Sequence, residues 1–348
     1  MARNSKYKRS HCSSSGHSVL SLSLWLRFFH FCVLQSHLNQ TEAFTSVKAS
    51  SSRSNLECKG TAENSVDSAT FSTKSLLGRE EAQSVINDIL MPQDLYGDRI
   101  GLGRDAQGIR AGTKMDANDP RLSMTYAEFP LTSLDQLMDL ALQYMKSSAS
   151  NAGADDDDDD VDDETSKLET TMPFACMDIG SGCGRIALYL AMTREGNPDG
   201  TKSSSSKAWN VHGIEISDLL HQEALGYCQK AVDNDLISPS FASEEMNTLS
   251  LHLGPAENFG SLLRETDCIF AYSTAFTAKV FSPELGALIL GPDWSQLLGE
   301  SCKDGCMAIT TDRALDPAYG WQLVDRLDVE NREVFGTTGY VHILKKKV

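Results

Sequence analysis

The stretch Met177–Gly184, with the sequence MDIGSGCG, decides the fold expected for this chain. It overlaps the end of the apolar run Phe174–Ile179, whose length and composition predict a strand, and it leads into an apolar helical pattern over Gly184–Thr193. A strand, a glycine-rich turn and a helix in this order open a parallel α/β sheet, in which ligands lie beyond the carboxyl ends of the strands. The turn is therefore the expected ligand site.

The spacing of one acid and three glycines in this turn predicts the ligand. Gly180, Gly182 and Gly184 let the backbone turn tightly and approach a ligand, while the helix behind them points free amides at the site. Dinucleotide sites typically carry GxGxxG. An acid two residues before GxGxG is instead typical of S-adenosylmethionine (SAM) sites. We expect the Asp178 carboxylate to meet the cationic end of the methionine moiety, partly through water, and the three glycines to bind SAM.

Strands and helices alternate through the rest of the carboxyl-terminal half. Further strands are predicted at Trp209–Ile214, Leu249–Leu253, Cys268–Tyr272 and Cys306–Thr310, and the final segments Trp321–Val329 and Val334–Leu344 form a predicted antiparallel hairpin. The predicted fold is α/β: a doubly wound, Rossmann-like, seven-stranded, mostly parallel sheet with an antiparallel terminal hairpin.

Two more groups of cofactor ligands are predicted after the second and third strands. Glu215 stands at the end of the second strand, where an acid can accept hydrogen bonds from both ribose hydroxyls. Glu257 and Phe259 follow the third strand and offer a carboxylate for the adenine amino group and an aromatic ring to stack on the base. Glu257 could equally cap the next helix.

With these residues placed, the chain from about Tyr126 onward resembles the non-SET histone-lysine methyltransferases, the disruptor of telomeric silencing family of class I SAM-dependent methyltransferases. The motifs that carry the resemblance are Tyr126-Ala127-Glu128 for the family's Tyr-Gly-Glu loop, Met177–Gly184 for its glycine turn, Gly213-Ile214-Glu215 followed by Asp218, and Ile269-Phe270 followed by Ala275-Phe276. The resemblance implies a lysine N-methyltransferase that binds SAM, with the Glu128 loop closing over the cofactor.

The chain also departs from that family. Tyr272-Ser273-Thr274 stands where the family has Asn-Asn-Phe, and Ala127 replaces a glycine. No long lysine-rich tail for grasping a nucleosome is present, although Lys345–Lys347 could be a remnant of one. The fold and the cofactor carry over from the resemblance, whereas the histone substrate does not.

The expected chemistry needs little acid-base help, because methyl transfer from a sulfonium is an in-line displacement that depends mainly on positioning. Tyr126, Tyr272 and Phe276 are the candidates to line a channel that lowers the proton affinity of an amine. Ser273 and Thr274 either orient the acceptor or hydrogen-bond to the backbone. The predicted catalytic residues are therefore Tyr126, Tyr272, Ser273 and Phe276.

Charge and cysteine content restrict the partners. The formal net charge is -17, much of it in the acidic run Asp155–Glu164, so repulsion from phosphates argues against strong direct nucleic-acid binding. The nine cysteines lack the spacing of a metal site, and no metal is predicted. The apolar stretch 19–34 is too short and interrupted for a stable membrane span. We expect a monomer that acts on a protein or a small molecule.

The amino terminus has the composition of a targeting presequence. Four basic residues within the first nine precede the apolar stretch 19–34, and a serine-rich stretch with few acids follows. The Ala43-Phe44 pair resembles the cleavage region of the two-part presequences that address proteins to complex algal plastids. Residues 1–60 are therefore either a presequence, which places the protein in a plastid or another organelle, or a disordered start in a cytoplasmic or nuclear protein.

Three further regions are predicted. Residues 61–146 form a helical and loop region that closes over the cofactor, with helices at 76–90 and 133–146 and a glycine-rich loop at 97–112. Residues 147–170 form a disordered acidic insertion, and 171–348 form the SAM-binding domain. Three functions remain open: a protein lysine methyltransferase, a small-molecule methyltransferase in an organelle, and a non-catalytic SAM-binding module whose acidic tract binds a partner.

Overall fold

The computed structural model describes residues 68–108, 126–151, 173–193, 208–239, 246–276, 278–332 and 336–346. The predicted presequence, residues 1–60, lies outside these ranges, as does the acidic run Asp155–Glu164.

Twelve strands are present within those ranges. They are β1 (Ser68–Thr73), β2 (Phe174–Ile179), β3 (Trp209–Glu215), β4 (Ile237–Ser238), β5 (Thr248–Leu253), β6 (Cys268–Ala271), β7 (Ala278–Ser282), β8 (Ala287–Leu290), β9 (Met307–Thr311), β10 (Arg313–Ala314), β11 (Trp321–Val329) and β12 (Thr337–Leu344).

Nine of the described strands form one sheet in the order β11-β12-β9-β6-β2-β3-β5-β1-β4. Strands β5, β3, β2, β6 and β9 are parallel, and β12 is antiparallel to both β9 and β11. From β2 the chain winds outward to β3 and β5 on one side and to β6 and β9 on the other. The strand order therefore reverses between β2 and β6, which confirms the predicted doubly wound fold with its terminal hairpin. The sheet has nine strands where seven were predicted, because β1 and β4 extend it beyond β5.

Helices cover both faces of this sheet. Apart from short 3₁₀ and π-helical turns, the described helices are α1 (Arg79–Ser84), α2 (Tyr96–Ala106), α3 (Leu131–Asn151), α4 (Arg185–Met192), α5 (Asp218–Asp233), α6 (Gly260–Glu265) and α7 (Pro292–Ser301). Buried apolar side chains of α3, α4 and α5 share one hydrophobic core, and those of α6 and α7 share a second. Helix α5 begins after Ser217, whose hydroxyl caps it by accepting the N–H of Leu220 at 3.4 Å.

The sequence pattern missed several elements. The stretch predicted as a glycine-rich loop is largely helix α2. Strand β1, from the region predicted as helices and loops, lies antiparallel between β5 and the edge strand β4. Helix α3 extends to Asn151, into the predicted insertion. Strands β7, β8 and β10 form a small second sheet that was not predicted. The amino-terminal region is thus built into the same sheet as the predicted SAM-binding domain.

Among the described residues, no helix is both long and apolar enough to cross a membrane. The same ranges hold no group of three or more His, Cys, Asp or Glu side chains placed to bind a metal ion.

Candidate functional site

A cavity of about 410 Å³ lies at the carboxyl ends of β2, β3, β5 and β6, where the strand order reverses. This is the position expected for a ligand in a doubly wound sheet. Most of the site residues predicted from the sequence line it: Tyr126, Glu128, Asp178, Gly180, Gly182, Glu215, Glu257, Tyr272 and Phe276. The structure therefore brings together residues that are spread over most of the described chain.

The glycine turn after β2 has the left-handed backbone that the sequence requires. Gly180, Gly182 and Gly184 have φ of +72°, +55° and +76°, a region that favours glycine over other residues. A Cβ on Gly182 would lie 2.8 Å from the Tyr126 ring, so this glycine also makes room for that ring. Gly184 does not line the cavity. A Cβ there would lie 3.1 Å from Ala224, and this glycine instead allows α4 and α5 to pack closely.

Asp178 is a buried carboxylate in the cavity wall. It is 2% exposed, and its Oδ2 atom has no hydrogen-bond partner within the described part of the chain. Burial, with a smaller contribution from the charge of Glu215, raises the pKa of Asp178 to about 8. An unpartnered carboxylate in such a place is stabilised by a cationic ligand group, because the cation restores the interactions that burial removed.

Glu215 is held by the backbone of the turns around it. Its Oε2 accepts the N–H of Gly182 at 2.8 Å, and its Oε1 accepts the N–H of Ser217 at 2.8 Å. Burial raises the pKa of this carboxyl, while these backbone donors partly oppose the shift. The N–H of Ile216 is a third backbone donor to this carboxylate, which leaves about one of its roughly four acceptor positions for a hydroxyl donor from a ligand.

Tyr126 and Glu128 line the cavity and belong to a buried ion-pair cluster. The Glu128 carboxylate accepts Arg99 Nε at 2.5 Å and Arg99 Nη2 at 3.2 Å, and it also accepts the Tyr126 hydroxyl at 2.8 Å. Arg185 Nε lies 3.5 Å from Glu128 Oε2, and Arg185 lines the cavity. Two guanidinium groups face one carboxylate, so this cluster has an excess of positive charge.

Arg185 is a site residue that the sequence analysis missed. It is 8% exposed, and its Nη1 donates to the Phe129 carbonyl at 2.7 Å and its Nη2 to Asn87 Oδ1 at 2.7 Å. Its Nε has no hydrogen-bond partner among the residues that the structure describes. Its position directly after the glycine turn, at the start of α4, was the available signal.

One side of the cavity is aromatic. The Phe276 ring stacks on Trp294 of α7 with centroids 5.0 Å apart, and the Tyr272 ring packs against Phe129 at 5.2 Å. A Cβ on Gly180 would lie 3.5 Å from the Phe276 ring, so the stacked pair borders the glycine turn. Neither Phe129 nor Trp294 was predicted: Phe129 directly follows the Tyr126-Ala127-Glu128 motif, whereas Trp294 comes from α7, outside every motif.

The structure corrects the prediction that Ser273 is catalytic. Ser273 is fully buried and does not line the cavity. Its hydroxyl donates to the Thr311 carbonyl at 2.8 Å and accepts the Thr311 N–H at 3.0 Å. Both bonds tie the loop after β6 to the end of β9, so the hydroxyl has the backbone-pairing role that was the open alternative.

Phe259 also differs from its prediction as an adenine-stacking residue. Its ring packs on His252 with centroids 5.2 Å apart and lies against Gly254, and it does not line the cavity. Glu257 does line the cavity and is exposed, so it remains the candidate for the adenine amino group. Ile216, 56% exposed, lies beside Glu215 and provides an apolar surface at this end of the cavity.

No protein-family model and no curated protein matches the chain. Among solved structures, it is similar to an RNA methyltransferase from Salinibacter ruber in complex with S-adenosyl-L-homocysteine, with 16% identity over 64% of this chain and 96% of that one and a TM-score of 0.34. It is also similar to magnesium protoporphyrin IX methyltransferase from Synechocystis PCC 6803 with bound SAM, with 11% identity over 78% and 99% and a TM-score of 0.34.

Proposed function

We propose that this protein is a SAM-dependent methyltransferase. The observation that carries the proposal is the buried Asp178 carboxylate, which faces a cavity at the switch point of a doubly wound sheet and has an oxygen without a partner among the described residues. A cationic cosubstrate satisfies that oxygen. Calorimetric titration of the full chain with SAM, with and without a chelator, tests the proposal, since we expect binding in both conditions. No binding heat with the folded chain, or binding lost with the chelator, would contradict it.

The cavity residues fit the parts of SAM. Asp178 suits the ammonium group of the methionine moiety, and the Nε of Arg185 is a donor for its carboxylate. Glu215 has an acceptor position left for a ribose hydroxyl, and Ile216 and Glu257 suit the face and the amino group of adenine. A cavity lined by both a carboxyl group, Asp178, and a guanidinium group, Arg185, matches a zwitterion better than a purely anionic ligand such as a dinucleotide.

Bound SAM supplies an electrophilic methyl group on a sulfonium, which passes to the nucleophile while the sulfur keeps the electron pair of the broken bond. The protein's part is positioning and exclusion of water. Tyr126 closes over Gly182, and the aromatic side chains of Phe129, Tyr272 and Phe276 desolvate the acceptor. An amine next to these rings is more easily held in the neutral, nucleophilic form, because desolvation disfavours its charged form.

We propose a lysine side chain as the acceptor, with the amine entering between the aromatic side chains. A lysine side chain is narrow enough to enter between these aromatic rings while the rest of the acceptor protein stays outside the cavity. The resemblance to non-SET histone-lysine methyltransferases supports the same class of acceptor, while Tyr272-Ser273-Thr274 and the acidic net charge argue against nucleosomes. The flat Phe276–Trp294 pair favours a planar small molecule as the second candidate.

Incubation of the full chain with methyl-labelled SAM and separate whole-cell protein and metabolite fractions distinguishes these acceptors. We expect label in protein, on lysine. Label confined to metabolites supports the small-molecule candidate. SAM binding without label in either fraction supports a non-catalytic binding module.

The affinity for SAM is expected to rise with pH between about 6 and 8. Asp178, with its pKa raised to about 8, is protonated at pH 6 and must lose that proton to meet a cation. Affinity then gains up to about tenfold per pH unit below the pKa. The sign for folding is opposite: the raised pKa means that the native state binds the proton more tightly, so this group's contribution to stability falls from about pH 4 to about pH 8.

Calorimetry at pH 6, 7 and 8 measures this dependence, with the Asp178→Asn variant as the reference. Titration of SAM itself affects wild type and variant equally, so the difference between their pH dependences reports on the Asp178 carboxyl group. A wild-type pH dependence identical to that of the variant would contradict the assignment of Asp178 to the cationic end of SAM.

We also propose that the protein works outside the nucleus, in a plastid or another organelle. The proposal rests on the basic and apolar start and the serine-rich stretch after it, which lie outside the described residues. We expect a fluorescent fusion at the carboxyl end to localise outside the nucleus and the mature chain to start near Phe44. Nuclear fluorescence with an uncleaved amino terminus would reject this location, and labelling of nucleosomes would then restore a histone substrate.

A further inference from the structure

A chain of buried polar contacts runs from the cavity wall into the hairpin that ends the sheet. Asn331, in the turn between β11 and β12, is 1% exposed, and its Nδ2 donates to the Tyr272 hydroxyl at 3.0 Å and to Thr337 Oγ1 at 2.8 Å. Asn331 does not line the cavity, whereas Tyr272 does. The Asn331 amide therefore contacts Tyr272, a residue of the cavity wall, on the side away from the cavity.

Asp312 closes this chain at its far end. The Thr337 hydroxyl, which accepts from Asn331, lies 3.4 Å from Asp312 Oδ2, and the Thr274 hydroxyl donates to the same oxygen at 2.6 Å. The N–H of Thr338 donates to the other oxygen, Oδ1, at 3.1 Å. One carboxylate thus joins the loop after β6, the loop after β9 and the terminal hairpin. The hydrogen bonds have one direction: Asn331 donates to the Thr337 hydroxyl, which in turn donates to Asp312.

The backbone at Asp312 has a strained conformation, which the surrounding hydrogen bonds hold in place. Its φ of +58° lies in the left-handed region, which costs a residue with a side chain on the order of 1 kcal/mol. Strain of this kind persists where surrounding contacts hold it, and it concentrates at functional sites. Next to Asp312, Arg313 Nη1 donates to the Ser273 carbonyl at 3.1 Å and also to the Thr274 carbonyl.

Tyr272 is therefore fixed at both ends. Its backbone is followed by Ser273, which is tied to Thr311, and its hydroxyl is held by Asn331. Its ring lies between this support and the cavity, against Phe129. In-line methyl transfer is sensitive to displacements of about 1 Å, for which losses of about 100-fold are known. The position of this ring decides where an acceptor can sit.

We propose that Asn331 is a positioning residue for the methyl acceptor, acting through the Tyr272 hydroxyl and supported by Thr337 and Asp312. The inference rests on the proposed methyltransferase function. It predicts that changes at Asn331 alter transfer to the acceptor without altering the affinity for SAM, because Asn331 does not line the cavity in which SAM is placed.

The test compares Asn331→Ala with a matched control, Thr338→Ala. Thr338 lies in the same hairpin, and its hydroxyl makes an exposed bond to Asp328, so the control disturbs the hairpin without touching Tyr272. Thr337→Val is the second variant, in case Asn331→Ala does not fold, because it removes only the hydroxyl that holds the other amide hydrogen. All variants are made in the full chain.

Two measurements decide the outcome. With the fraction that becomes labelled in the assay above, we expect Asn331→Ala to lower the maximal rate about tenfold or more and to leave the Kd for SAM within about twofold. Tyr272→Phe should lower the rate similarly, and the double variant should lose no more than the single ones. A wild-type rate for Asn331→Ala, or a loss explained by SAM affinity alone, overturns the proposal.

The second measurement needs no acceptor. In protein labelled with ¹³C at tyrosine Cζ, the Tyr272 resonance, assigned with Tyr272→Phe, should move in Asn331→Ala and in Thr337→Val but not in Thr338→Ala. An unmoved resonance in both variants overturns the proposal even if SAM binds. If SAM does not bind to the wild type, the methyltransferase assignment fails, while the resonance still reports on the contact itself.

Discussion

Replacing Glu215 with alanine is expected to weaken SAM binding by about 10- to 150-fold, which corresponds to about 1.5 to 3 kcal/mol. The change removes a buried carboxylate that is placed for the ribose hydroxyls. It also leaves the N–H groups of Gly182 and Ser217 without the oxygens that they now donate to. The loss therefore combines missing ligand contacts with a less ordered glycine turn.

Isothermal titration of folded Glu215→Ala with SAM measures this loss. Glu257→Ala is the matched control, because Glu257 lines the same cavity but is exposed, and we expect a smaller effect from its removal. Equal affinity of wild type and Glu215→Ala would mean that the cofactor does not reach the end of β3.

Replacing Gly103 with alanine is expected to destabilise the protein by about 1 to 3 kcal/mol, the usual cost of overpacking. A Cβ on Gly103 would overlap the Cβ of Tyr126. The ring of Tyr126 already lies close to Gly182, so it has little room to move. The ring cannot move away without giving up the bond between its hydroxyl and Glu128. We therefore also expect weaker SAM binding, because the cavity wall shifts with Tyr126.

Gly101→Ala, in the same helix, is the control. Nothing lies within 4 Å of a Cβ at Gly101, so the substitution should stabilise α2 by about 0.5 to 1 kcal/mol through helix propensity alone. Chemical denaturation of both variants measures the difference. If Gly103→Ala and Gly101→Ala change the free energy of unfolding equally, the Tyr126 side chain does not lie between Gly103 and Gly182.

The sequence predicts the central fold well because its signals are local. The strand at Phe174–Ile179 and the strand beginning at Trp209 appear at their predicted positions, since apolar runs bounded by glycine and polar residues encode them directly. The glycine turn is equally local, and its left-handed backbone follows from residue type. Asp178 and Glu215 were found for the same reason: each stands at the end of such a strand.

The missed features depend on contacts between distant segments. Helix α2 contains three glycines, which argue for a loop, yet Gly103 is there to accommodate Tyr126 and Arg99 is there to pair with Glu128. No local pattern reveals either requirement. Trp294 reaches the cavity only because α7 packs beside the loop after β6. Ser273 was misassigned because a hydroxyl beside a strand end looks the same in sequence whether it faces a ligand or the backbone.

The pairing of β1 with β5 has a consequence for biosynthesis. Ser68 lies opposite His252 in this pair, so the first described strand cannot join the sheet until the ribosome has released the chain beyond β5. Contacts between such distant residues form slowly, because the intervening chain must first be ordered. Helix α2, which follows β1 and contacts Tyr126, also packs on α5. It therefore cannot reach its final place before α5 has been synthesised. A nascent chain can thus build the glycine turn early but encloses a ligand only late in translation.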